Sequence, residues 1–171
     1  MKTKQILKVM QIFAWIAFIG LSIKVGAIVI SYIVSLGNPE ASKNLNEDMN
    51  YFDYNQYSIM HYTFIVFYRI LQYSLQAGIA FLVIKLLSNL NIQRPFNTIA
   101  LKQIQTISYN IIALWAIVVI HNFHVGILEA RSGIKANLLS SEFVLLAGVV
   151  FVISLLFKRG LELQSENDLT I

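Results

Sequence analysis

Arg69 is the most expensive residue in the chain to place. It lies inside a long apolar run, and a charge at the centre of a bilayer costs about 2.5–3.5 kcal/mol on insertion scales. Gln72 and Gln76 follow at three- and four-residue steps, so all three share one helical face. That face must look into protein or into a watery cavity. Glu142 sits in another apolar run at a depth expected to resemble that of Arg69, and Lys24 sits in a third, toward the same outer side. Two chemistries fit these residue types. An Arg69–Glu142 ion pair can fix helix register. Alternatively, Lys24, Arg69, Gln72, Gln76, His121 and Glu142 can line an outward-facing pocket for a small polar or anionic ligand.

The three histidines, His61, His121 and His124, all fall near one end of the expected helices. His121 and His124 are three apart and share a face. With Asp53 or Glu129 they can offer nitrogen and oxygen ligands to a metal, titrate near neutral pH, or simply keep one wet edge at an interface. No ligand motif of known geometry accompanies them, so no metal site is expected, and these three are the nearest candidates for one. No glycine-rich phosphate loop, GxSxG elbow or HExxH pair occurs. Without such a constellation, no enzymatic activity and no cofactor are expected.

The elements that hold these residues follow from composition. Of 171 residues, 57% are hydrophobic and only 13% charged, with a mean hydropathy of +0.65. A soluble domain carries about 25% charged residues, and half that charge cannot coat a water-facing globule. Disordered chains have the opposite composition. The absence of cysteine excludes disulfides, thiolate metal sites and cysteine nucleophiles. An integral membrane protein remains. Four apolar runs, at about 9–36, 59–87, 104–125 and 138–157, are each near the roughly 20 residues that cross a bilayer as helix. None alternates as a strand does. The basic start and Val25-Gly26-Ala27 superficially fit a signal peptide, but the apolar run continues to Leu36, which argues for an uncleaved span.

Charge sets the expected orientation. With the N-terminus inside, Lys2, Lys4, Lys8, Lys85, Arg94, Lys102, Lys158 and Arg159 fall on the cytoplasmic side, and only Lys43, Arg131 and Lys135 fall outside. The net charge of +4 is then a topology signal, and no direct nucleic-acid partner is expected. The expected fold is all-α, a single transmembrane domain over 1–171. It is an integral membrane four-helix bundle with both termini cytoplasmic, outer loops at 37–58 and 126–137, a cytoplasmic loop at 88–103 and a cytoplasmic tail at 158–171. Tyr51, Phe52, Tyr54 and Tyr57 suit an interfacial aromatic belt. Asn97 or Thr98 is expected to cap the third span. Leu101, Ile104, Ile107, Ile111, Leu114 and Val118 form its apolar stripe. Gly26-Ala27, Ala77-Gly78 and Ala147-Gly148 are expected to allow close helix approach.

The Arg94-Pro95-Phe96-Asn97 turn, the terminal Phe-Lys-Arg-Gly-Leu-Glu-Leu-Gln-Ser-Glu-Asn-Asp-Leu-Thr-Ile run and the four-span layout carry a resemblance. The chain resembles bacterial membrane proteins grouped as domain of unknown function 2975. That resemblance implies a non-enzymatic protein of the bacterial cytoplasmic membrane, often encoded beside a small helix-turn-helix regulator. It implies sensing of a signal and control of that partner. Arg94, Pro95, Phe96, Asn97, Lys158, Arg159, Glu162, Glu166 and Asp168 are then the expected docking residues, because both stretches face the cytoplasm. A rival expectation is a small transporter, or an accessory subunit of one. Four helices are few for a solute path, so that reading requires a homo-oligomer. A purely structural or lipid-binding subunit is the third expectation. In every reading the lipid bilayer is a partner.

Overall fold

The computed structural model describes residues 2–46, 49–90, 97–140 and 143–168. Among them there are helices and no strand. Helix α1 spans Lys2–Gly37, followed by a 3-10 turn at Pro39–Asn44 and a short α2 at Phe52–Tyr57. Three long helices complete the chain: α3 at Ile59–Asn89, α4 at Thr98–Ser132 and α5 at Phe143–Asp168. The expected all-α class is what the structure shows.

Three of these helices, α1, α3 and α4, are long and apolar enough to cross a membrane. Helix α1 has 36 residues, hence a length of about 54 Å against a hydrocarbon core of roughly 30 Å. It has no single apolar face. Ile6, Phe13, Ile16, Ile23, Ile30 and Ile33 are all exposed, a distribution suited to lipid and not to water.

Helix α4 is the centre of the fold. It packs against α3 on one side and α5 on the other, while α1 lies against α3. The described helices therefore pack in the succession α1, α3, α4, α5. Among the described residues no comparable contact joins α1 to α5, so the contacts form a row. The stripe on α4 runs through Ala100, Ile104, Ile107, Ile111, Leu114, Val118, Val125 and Leu128, all buried. Leu101, expected in that stripe, is only half-buried, and Ala100 takes its place.

Helix ends differ from the expected boundaries for local reasons. The Asn97 side chain accepts the Ala100 amide at 2.8 Å, so α4 begins at Thr98, within what reads as a cytoplasmic loop. At its other end α4 passes through Gly126, read as loop, and continues to Ser132. It stops at Gly133, whose φ of 73° is open to glycine and costly to other residues. The expected outer loop at 126–137 is thereby halved. Helix α5 likewise continues through the expected tail to Asp168. The expected close approaches at Gly26, Gly78 and Gly148 do not occur: a Cβ at any of them would meet nothing within 4 Å. Of Gly26, Ala27, Ala77, Gly78 and Gly148, only Ala77 is buried.

Two apolar clusters lie along the row. One joins Ile107 and Ile111 of α4 to Ile79, Leu82, Val83 and Leu86 of α3 and to Val150 of α5. The other sits at the opposite end and includes Ile28, Tyr62, Ile65, Val66, Val125 and Leu128. Leu45, Met49, Tyr51 and Tyr54 from the 38–58 segment close over this second cluster as a cap. The cap is folded, not loose. Tyr51 N–H donates to the Ser42 carbonyl at 2.8 Å, and Leu45 N–H to that of Met49 at 3.0 Å.

Candidate functional site

Arg69 projects from α3 beneath this cap and is 9% exposed. Its Nε donates to the Tyr51 hydroxyl at 2.7 Å, and its Nη2 donates to Asn137 Oδ1 at 3.1 Å. The two acceptors come from different segments, one from the cap and one from the loop after α4. A guanidinium suits this task because its planar fork presents several donors in fixed directions. Tyr51 is 0% exposed. Burial pushes its phenol above the usual value, although Arg69 pulls the other way. The ring therefore stays neutral and serves Arg69 as a dipolar acceptor.

The network extends outward from Asn137. Its N–H donates to the Tyr54 hydroxyl at 3.2 Å, and that hydroxyl donates to the Lys135 carbonyl at 3.0 Å. Burial also raises the Tyr54 phenol. Asn122 of α4 holds the same loop further along. Its Nδ2 donates to the Leu139 carbonyl at 2.9 Å and its Oδ1 accepts the Leu139 amide at 2.8 Å. Above these bonds a cleft of about 380 Å³ opens to solvent between cap and loop, lined by Asn50, Asp53, Tyr54, Ile134, Lys135, Ala136, Asn137 and Leu138. Its wall carries one acid, one base and two side-chain amides. Asn137, one of the two residues that hold Arg69, is thus also part of the wall of an open cleft.

The expected pocket residues are placed as follows. Gln72 lies one turn below Arg69, 7% exposed, and its Oε1 has no partner among the described residues. Gln76 is half-buried a further turn below. Lys24 of α1 holds its ammonium 5.0 Å from the centre of the Tyr73 ring. His121 is 0% exposed, with Nδ1 at 3.2 Å from Asn122 Oδ1 and Nε2 without a partner among the described residues. Glu142 lies outside the described residues, as do Arg94, Pro95 and Phe96. Sequence reasoning missed Asn137 and Asn122, and it read Tyr51 and Tyr54 as an interfacial belt. A loop asparagine bonded from 68 residues away and a helix asparagine bonded to a loop 17 residues on leave no local pattern.

The histidines divide. His61 Nδ1 of α3 and His124 Nε2 of α4 are 3.0 Å apart, whereas His121 bonds Asn122 instead. Tyr68 stands edge-on to both His121 and His124, with ring centres 5.9 Å away in each case. No group of three or more metal-ligating side chains forms among the described residues.

Among the expected docking residues, Asn97 is committed to the α4 cap. Lys158 is exposed. Arg159 pairs with Glu162 at 3.1 Å on the exposed helix surface. Glu166 continues that surface, and Asp168 ends α5.

Residues 39–171 match the family described as a protein of unknown function (DUF2975). The match begins at the cap and leaves out α1. No curated protein matches the chain, and no solved structure does.

Proposed function

Because the chain belongs to the DUF2975 family, whose description assigns no activity, we propose its role from geometry: a non-enzymatic regulatory or sensory membrane protein. In this reading α5 is a fourth span, both termini are cytoplasmic, and the protein resides in a bacterial cytoplasmic membrane. The outer cleft takes a small polar ligand. The turn before α4 and the extended end of α5 act on a small cytoplasmic helix-turn-helix regulator.

One observation carries the reading. Arg69 is held by Tyr51 and Asn137, and Asn137 also lines the solvent-open cleft. A ligand that competes for Asn137 is one hydrogen bond from the guanidinium, and one that competes for Tyr54 is two. A ligand shifts an equilibrium only by its differential affinity for two states. Here the two states are cap held by Arg69 and cap released from it. In this reading the released state alters how α3 meets its neighbours, α1 and α4, against which it packs.

The docking half is tested by removing the chain after Gly160 and capturing helix-turn-helix regulators from native membranes. Loss of capture is expected. Undiminished capture overturns the docking role.

Gln72 Oε1 and His121 Nε2, without partners among the described residues, favour a second reading, in which polar groups on α3 and α4 line a solute path in a homo-oligomer. Flux into proteoliposomes that Arg69→Ala abolishes would support transport and count against the sensor.

A further inference from the structure

The pair formed by His61 and His124 lies apart from the Arg69 network and has no role in it. We propose that these two imidazoles form a chelating site for a borderline divalent transition metal, of the class Zn²⁺, Ni²⁺ or Cu²⁺, at the outer end of α3 and α4.

The two nitrogens share a hydrogen bond, and their spacing is close to a bidentate bite in which an ion would replace the shared proton. Two metal–nitrogen bonds of 2.0–2.1 Å meeting at a tetrahedral angle set the nitrogens about 3.3 Å apart. Here they stand 3.0 Å apart, so a small outward swing of either ring admits an ion. The rings are inclined at 49°, with centres 5.2 Å apart, and each directs a ring nitrogen at the other. His61 sits in the first turn of α3 and His124 on α4. Their meeting is therefore produced by helix packing and not by neighbouring positions in one helix. Aromatic neighbours steady both rings. Tyr57 stacks on His61 at 30° and 6.0 Å, and Phe64 and Tyr68 stand edge-on to His124.

The donor set fixes the class of ion. Neutral imidazole suits zinc, nickel and copper, and the hard ions calcium and magnesium prefer oxygen. With two protein ligands the remaining positions go to water or an anion. Both histidines are half-buried, so the ion exchanges with solvent. Such a site is a reversible clamp. It ties the first turn of α3 to α4, and binding only the clamped state raises stability with the logarithm of metal concentration above the Kd.

The test uses the full chain, purified without a polyhistidine tag in detergent micelles and stripped with EDTA. Zn²⁺, Ni²⁺ and Cu²⁺ should each raise Tm by at least about 3 °C at saturation, and EDTA should reverse the rise. Mg²⁺ and Ca²⁺ should not raise it. His61→Gln and His124→Gln should each abolish the rise while still melting cooperatively in EDTA. Independently of folding stability, the electron paramagnetic resonance spectrum of bound Cu²⁺ should carry coupling from two imidazole nitrogens in the native chain. No metal-dependent rise in the native chain, an equal rise in His61→Gln, or a copper spectrum without nitrogen coupling would overturn the site.

Discussion

Arg69 was legible as a costly charge because nothing in an apolar run of α3 can hide it. What it does was not legible. Its acceptors, Tyr51 and Asn137, lie 18 and 68 residues away, and a tyrosine near a helix end satisfies a belt pattern equally well. Glu142, the expected partner, falls outside the described residues. Hydrogen bonds to a charged donor contribute about 1.5–3 kcal/mol each. Arg69→Ala should therefore cost about 3 kcal/mol or more, since it also strands the buried Tyr51 hydroxyl. Thermal and denaturant unfolding in micelles measure this. Tyr51→Phe should cost about 1.5–3 kcal/mol, and the Arg69→Ala, Tyr51→Phe double mutant should cost less than the two losses added together, since the shared bond is lost only once. Additive losses would show that the two do not interact. Asn122 makes a comparable case without charge. Asn122→Ala removes both bonds to Leu139 and should cost about 1–3 kcal/mol. Asn122→Asp keeps the acceptor for the Leu139 amide and should recover part of it.

The helices themselves were more legible than their ends. Apolar stripes on α4 read directly as helix, because a period of about 3.6 belongs to nothing else. The end of α4 was misread at Gly126, since a glycine inside a helix and one that stops it look alike in sequence. Only a positive φ distinguishes them, and Gly133 has it. Gly133→Ala should thus cost about 1–2 kcal/mol, whereas Gly126→Ala, in helical backbone with open space at its Cβ, should be neutral or stabilising by up to about 1 kcal/mol. Asn97→Ala should cost about 1 kcal/mol through the lost cap. Circular dichroism melts of the three variants compare them directly. A Gly126→Ala loss larger than that of Gly133→Ala would reverse the assignment. At the far end, the basic pair followed by acids read as a tail, although Arg159 and Glu162 have the three-residue spacing of a helix pair.

At the scale of the molecule, composition alone pointed to lipid, and three helices have the length and apolarity to cross it. The row of contacts was not legible, because apolar residues around the whole of α1 do not say which side meets protein. The functional account requires the cleft and the α5 extension to lie on opposite sides of a membrane. The chain has no cysteine, so single cysteines report side without background. Asp53→Cys and Lys135→Cys, on the cleft, and Arg159→Cys, on the α5 extension, replace exposed residues. A membrane-impermeant maleimide should modify the first two in intact cells and Arg159→Cys only after the membrane is opened. Modification of Arg159→Cys in intact cells, or protection of both cleft positions until lysis, would contradict the account.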